Sequence, residues 1–389
     1  MSPSPSMTWY EVTNTDAIAS PALLVYPERI VSNSQQTIRL AGGPDRLRPH
    51  VKTHKMRAVT ELLLALGVRQ FKCATLAEAR MLADLARPAE PRPDTPVKLS
   101  GLDDFTLEGS IDVLVAYPLV GPAVAQLAQL RAEFPAARFS CLIDSTASSQ
   151  RVSDLFQNNP LDVYIDLNVG MNRTGIKPTD ALALWTYCQA LPGIRVVGLH
   201  AYDGHIRATD LTIRTQQADE TFALADGVRQ AIATAHGVTL QLVMGGTPTF
   251  ALHARHPNVM VSPGTFVFWD AGYGQLLPDL PFDVAAVLLM RVISIIDDQT
   301  LCLDLGHKAV AAENPLPRVV FLNQPDAVPI GQSEEHMVVK VADAHQFLPG
   351  AVWYGVPVHI CPTVNLYNSV SVVVDNQHVD TWPVTARGH

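Results

Sequence analysis

The chain has 389 residues, 48% of them hydrophobic, and 28 basic against 37 acidic side chains give a formal charge of -9. That length supplies core enough for two domains or one large barrel with an appended module, so a disordered chain is not the default. An acidic balance with no concentrated Lys/Arg stripe argues against nucleic acid as a partner, and no apolar run is long enough to span a membrane.

The opening residues "MSPSPSMTWYEVTNTD" lack the basic start and apolar run of a signal peptide and read as a flexible tail. Cys73, Cys141, Cys188, Cys302 and Cys361 are odd in number and scattered, which suits reduced thiols better than a disulfide framework. The simplest expectation is a soluble cytoplasmic protein.

From residue 47 to about 264, β-rich runs alternate with helical stretches. The runs are "HVKTH", "FKCAT", "DVLVAY", "FSCLID", "DVYIDLN", "VVGLHAY", "LQLVMGG" and "VMVSPG". Between them, "MRAVTELLLALG" and "TLAEARMLADLA" repeat apolar residues at three and four, as helices covering parallel strands do. The Pro/Arg-rich "RPAEPRPDTP" reads as a loop. Eight runs predict an α/β fold, a (β/α)8 TIM barrel over residues 24–270, in preference to a doubly wound sheet. Beyond Gly272 the helices stop. "VAAVLLMRVISII", "LCLDLG", "EEHMVVKV", "VWYGVPVHICP" and "SVSVVVDNQHVDTWPV" predict a C-terminal antiparallel β-domain over residues 271–389. "DNQ" at Asp375 to Gln377 is its hairpin turn, and residues 1–23 are expected to associate with this domain.

"LRPHVKTHK", Leu47 to Lys55, sets two lysines and two histidines in what reads as the first barrel strand. Alternation puts His50, Lys52 and His54 on one face, and Val51 and Thr53 on the other. If the polar face points inward, Lys52 is an anomaly in a barrel interior, where branched apolar side chains dominate. A buried lysine beside another cation loses proton affinity and becomes a nucleophilic amine. If instead this is a surface strand, all four polar side chains are solvated and only Val51 and Thr53 face the core. Lys55, past the strand's end, is expected to begin a helix and to be solvated.

"RPHVKTHK" resembles the pyridoxal-phosphate lysine motif of the D-threonine aldolase and D-serine dehydratase family, whose barrel is shared with bacterial alanine racemases. The resemblance runs from "SPALLVYPERI" to "WPVTARGH" and implies that Lys52 bears the cofactor. It also implies that Gly246 and Thr247 in "MGGTPTF", and Gly264 and Thr265 in "SPGTFVFWDAGY", hold the phosphate, on glycine turns at strand ends. "DLNVGMNRTGI" resembles the segment in which an arginine approaches the cofactor's phenolic oxygen, which points to Arg173. "GLHAYDGHI" carries His200, Tyr202, Asp203 and His205, of which His205 is the first choice for a general base. Relatives often place a histidine near Tyr202, so a phenol there is a departure.

His359 and Cys361 in "VPVHICPTVNLY" stand two apart on a predicted strand, so both project from one face. An imidazole and a thiolate suit zinc, although a free cysteine is more often a small core residue. The resemblance implies that this pair holds a divalent metal (Zn or Mn) as a Lewis acid on a substrate β-hydroxyl. The implied activity is a lyase of the D-threonine aldolase kind, cleaving small-molecule D-β-hydroxy-α-amino acids to glycine and an aldehyde. The rival is a D-serine or D-3-hydroxyaspartate dehydratase, which the cysteine favours. More remote are a non-catalytic pyridoxal-phosphate carrier and a racemase, which give the metal pair nothing to do. A homodimer with its sites near the joint between barrel and β-domain is also implied.

Overall fold

The computed structural model describes residues 7–86 and 110–388; the stretch "RPAEPRPDTP" lies outside the described residues. The first strand, β1 (Ala22–Val25), leads into α1 (Pro27–Ala41), which stops at Gly42 with φ +84°, a left-handed cap that glycine adopts without a Cβ clash. Then β2 (Gln70–Cys73), β3 (Asp112–Pro118), β4 (Arg138–Ile143), β5 (Leu161–Leu167), β6 (Ile194–Ala201), β7 (Gln241–Met244) and β8 (Val259–Val261) form one sheet, parallel throughout. Around it run α2 (Arg57–Ala65), α3 (Leu76–Asp84), α4 (Ala123–Glu133), α5 (Thr146–Phe156), α6 (Ala181–Cys188), α7 (Leu211–His236) and the short α8 (Phe250–His253). The two quoted helical stretches are α2 and α3, whose apolar faces are buried in the main core.

Leu47 to His50 fills the gap between the sheet's edges. Leu47 bridges Val261 on one side and His50 bridges Lys72 on the other, while Arg48 N donates to Val261 O at 2.8 Å and Lys72 N to Pro49 O at 2.9 Å. This eighth stave is not a regular strand. Pro49 has no N–H to add to a ladder, and the chain turns at once into a 3-10 turn at Val51–Thr53. The strand alternation expected past His50 therefore gives way: His54 and Lys55 are buried and Lys52 is half-buried.

The barrel interior is more polar than a branched apolar filling. Arg48, 0% exposed, donates to Asp112 Oδ1 at 2.7 Å and Gln70 Oε1 at 2.8 Å, and Tyr164 donates to Gln241 Oε1 at 2.7 Å. Leu114, Leu142, Tyr164 and Val243 make a small apolar layer inside, separate from the large core between sheet and helices. The Arg48 charge persists at this depth because it is paired with Asp112 and hydrogen-bonded to Gln70.

After α9 (Ala271–Leu276) the chain forms β9 (Ala286–Asp297), β10 (Thr300–Leu303), β11 (Val319–Phe321), β12 (Val328–Gln332), β13 (Met337–Lys340), β14 (Val352–Pro357), β15 (Ser369–Val374) and β16 (Gln377–Pro383), with α10 (Ile360–Val364) before β15. With β1 these strands make a second sheet, antiparallel except where β1 runs parallel to β15. Asp375 and Asn376, at φ 48° and 59°, turn β15 into β16, as the sequence led us to expect. The opening residues from Thr8 are not a loose tail: Thr13 N donates to Asn376 O at 2.8 Å and Asn376 Nδ2 to Glu11 O at 2.6 Å, fastening them to that hairpin.

The predicted strand "VPVHICP" breaks after Pro357. Pro362 cannot donate to a ladder, and the Thr363 hydroxyl donates to His359 O at 2.7 Å, so residues 360–364 turn helical. His359 and Cys361 thus sit on the entry to α10, not on one face of a strand.

Candidate active site

Lys52 lies on the mouth side of the barrel in a cavity it shares with His50, Lys72, Asp166, Arg173 and Tyr202. The Tyr202 ring is the common surface. Lys52 Nζ lies 6.0 Å from its centroid, Lys72 Nζ 5.4 Å and Arg173 Cζ 5.3 Å, the approach expected of cations over an aromatic face. Arg173 reaches there from a loop held by Asn168, whose Oδ1 accepts from Gly170 N at 3.2 Å and Asn172 N at 3.0 Å.

Lys55 is not solvated. Its Nζ donates to Glu78 Oε1 at 2.6 Å and Ala386 O at 3.3 Å, while Ala74 N donates to Glu78 Oε2 at 2.7 Å. The lysine after the motif is a structural anchor, tying the Lys52 turn to α3 and the C-terminal tail. Nor does it begin the helix, since Lys55 adopts φ 53° and α2 starts at Arg57.

The glycine turns come to the same end of the barrel. A Cβ on Gly246 would meet Tyr202 Cε2 at 3.0 Å, and one on Gly264 would meet His50 O and Thr53 Oγ1 at 3.0 Å. Thr247 Oγ1 accepts from Gly264 N at 3.3 Å and Thr265 N at 3.2 Å, so two successive amides of the second loop converge on a hydroxyl oxygen of the first. Behind them, Asp203 accepts from Thr249 at 2.9 Å and pairs with His253 Nε2 at 2.6 Å, fully buried. Amides converging on an oxygen beside a lysine and an aromatic ring fit a phosphorylated aldehyde cofactor.

His359 and Cys361 converge despite the changed backbone. Each side chain shifts the other's proton affinity, and Glu313 Oε1 lies 2.5 Å from His359 Nδ1. The Cys361 thiol, then Glu313, lift the His359 imidazole to about 9 against its burial. Burial pushes the Cys361 thiol up, but His359, the Lys52 charge and the Thr53 hydroxyl together bring it below its ordinary value. Thiolate character and an imidazole oriented from behind by a carboxylate are what a zinc-type pair requires. Among the described residues no group of three or more His, Cys, Asp or Glu side chains is arranged to hold a metal.

His205 is exposed and packs its ring where a Cβ on Gly170 would fall, 2.6 Å from Nε2, outside the cavity lining. His200 instead points inward, with Nδ1 on Asp166 Oδ1 at 2.7 Å and Nε2 on Lys72 Nζ at 3.3 Å. The sequence reading passed over Lys72. Its only signal is a lysine inside the strand run "FKCAT", without the flanking histidines that drew attention to Lys52. Glu313 left no signal, because it meets His359 from a loop 46 residues away.

A parallel barrel closed by a lysine-bearing segment and followed by a β-domain defines the alanine racemase-like class. Residues 25–271 match the alanine racemase N-terminal domain family and residues 285–373 the putative serine dehydratase domain. The chain belongs to the alanine racemase N-terminal domain family, which implies pyridoxal phosphate as its cofactor. It is 29% identical to the D-threonine aldolase of Arthrobacter sp over 88% of this chain and 85% of that protein. It is 25% identical to the D-threo-3-hydroxyaspartate dehydratase of Delftia sp. strain HT23 over 91% of this chain and 93% of that one. The crystal structure of D-threonine aldolase from Filomicrobium marinum superposes with a TM-score of 0.82 at 25% identity, covering 97% of this chain and 98% of that one.

Proposed function

We propose that the protein is a pyridoxal-phosphate- and metal-dependent lyase that cleaves D-β-hydroxy-α-amino acids to glycine and an aldehyde. The observation that carries this reading is the contact of Thr53 Oγ1 with Cys361 Sγ at 3.2 Å, which sets the metal pair one residue from the cofactor lysine. In this reading Lys52 would hold the cofactor and substrate beside the residues, His359 and Cys361, that would hold the metal. Similarity to the Arthrobacter D-threonine aldolase supports the same reaction.

Pyridoxal phosphate held through Lys52 supplies an electron sink for the substrate's α-carbon, and a divalent ion on His359 and Cys361 supplies a Lewis acid for its β-oxygen. In this reading Tyr202 backs the ring and Arg173 donates to its phenolic oxygen. Gly246, Thr247, Gly264 and Thr265 hold the phosphate. Glu313, at Nδ1 of His359, would fix its tautomer and leave Nε2 as the nitrogen available to hold a metal. His205, exposed over Gly170 and outside the cavity lining, would have to turn inward to take the hydroxyl proton. We extend the proposal to a homodimer, for which exposed Ile293, Ile296, Val328 and Ile330 on the second sheet offer apolar surface, and to a reducing, cytoplasmic setting, which five free cysteines suit.

The second reading, a dehydratase giving a 2-oxo acid and ammonia, is favoured by the thiolate in the metal pair and by the Delftia relative. Incubation with D-threonine, pyridoxal phosphate and zinc or manganese separates the two. Acetaldehyde with glycine supports cleavage, and 2-oxobutanoate supports dehydration.

A further inference from the structure

Lys72 is 3% exposed, carried inward by β2, and among the described residues forms no ion pair with a carboxylate. Its Nζ lies 3.3 Å from His200 Nε2. Asp166 Oδ1 accepts from His200 Nδ1 at 2.7 Å, and the Thr174 hydroxyl donates to Asp166 Oδ2 at 2.8 Å. With its Nδ1 proton committed to Asp166, His200 offers a lone pair at Nε2, so Lys72 donates one hydrogen there. That fixes the amine and leaves its remaining positions facing the cavity shared with Lys52.

We propose that Lys72 is the proton donor to the substrate's α-carbon, a second lysine of the site held in place by His200 and Asp166. The inference rests on the cleavage reading above and deepens it. With the cofactor bound, the substrate amine would take the position that Lys52 Nζ holds, and the α-carbon would lie next to it. Lys52 and Lys72 reach over the same Tyr202 ring, so both amines face that region. Cleavage transfers the hydroxyl proton to a base and leaves the Cα–Cβ electron pair with the α-carbon. Lys72 then gives that carbon a proton and is left as a neutral amine, which solvent recharges with the proton taken from the hydroxyl. Nothing is oxidised or reduced, and one proton leaves and one arrives.

The charges around Lys72 suit this exchange. Burial lowers its proton affinity first, the Lys52 charge lowers it further, Asp166 and Asp203 partly restore it, and Arg48 lowers it again, bringing it to about 7. His50 faces it from the closing segment, held neutral by burial and by the two lysines, and His200 from β6 is likewise kept neutral. Arg173, from the loop after β5, lies over the same Tyr202 ring, whereas β3 and β4 present Ala116 and Leu142. The charged, donating form is present below about 7 and is lost as pH rises through it.

Two measurements test the role. In cofactor-free protein labelled with 13C at lysine Cε, one resonance should titrate near pH 7, far below the other lysines, and be missing from Lys72→Arg. In holoenzyme with glycine in D2O, the wild type should exchange α-hydrogen. Lys72→Arg, which cannot release a proton, should exchange at least ~100-fold more slowly with its cofactor absorbance intact. Lys72→Ala should regain exchange in proportion to added methylamine, a rescue that a merely structural lysine would not show. A Lys72 resonance titrating above about pH 9, Lys72→Arg exchanging like wild type, or a cofactor-loaded Lys72→Ala that methylamine does not rescue overturns the role alone. A wild type that neither cleaves D-threonine nor exchanges glycine overturns the cleavage reading and this inference with it.

Discussion

Lys55 and Glu78 form a buried ion pair at 2.6 Å, with the carboxylate side chain 0% and the lysine side chain 10% exposed. The pair fixes the backbone three residues from Lys52. Removing one partner strands a charge in the interior, so Lys55→Ala should lose about 3–5 kcal/mol of stability in urea titration. Lys55→Met with Glu78→Leu should recover most of that. A loss below about 1 kcal/mol in the single variant would show that the pair is not buried in solution.

Lys52 is the lysine that takes the cofactor in this account. Borohydride reduction of the holoenzyme and peptide mapping should place the label on Lys52 and on neither Lys55 nor Lys72. Lys52→Ala should lose the visible absorbance of the cofactor linkage and all turnover. A label on Lys72 would exchange the roles given to the two lysines.

For the metal pair, His359→Ala and Cys361→Ala should each abolish metal-stimulated activity and keep the cofactor absorbance. Glu313→Gln weakens the carboxylate that orients His359 and should reduce metal affinity by about 10–100-fold, as outer-sphere partners typically do. Titration with zinc followed by calorimetry measures it. Unchanged affinity in all three variants would remove the metal from this site.

Gly264 is tight against the Lys52 turn, where a Cβ would lie 3.0 Å from both His50 O and Thr53 Oγ1. Gly264→Ala should therefore push the phosphate loop away from the turn and weaken cofactor binding, read as a higher pyridoxal phosphate concentration for half-maximal absorbance. Wild-type affinity in this variant would place the phosphate elsewhere.

The strands β2 to β8 were legible because each is a short β-rich run bounded by turn residues. The closing stave was read as a regular strand, but its irregular form was not legible: Pro49 interrupts the ladder, and its two bridges come from Val261 on β8 and Lys72 on β2. Lys52 was found from its polar surroundings, but the same surroundings made Lys55 look solvated. Its partners, Glu78 and Ala386, are 23 and 331 residues distant. His359 and Cys361 were paired by a strand spacing that the structure replaces with a helix entry, and they still meet because a helical turn also brings near neighbours together. Lys72 was missed since a single strand lysine gives no sign of facing a histidine and an aspartate on β5 and β6.

The most direct measurement is product analysis of the purified protein with D-threonine, pyridoxal phosphate and either zinc or manganese, following acetaldehyde, glycine and 2-oxobutanoate in one reaction. The account predicts equal amounts of acetaldehyde and glycine, dependent on the metal and absent in Lys52→Ala. Predominant 2-oxobutanoate would contradict it and give the Cys361 thiolate to a dehydratase.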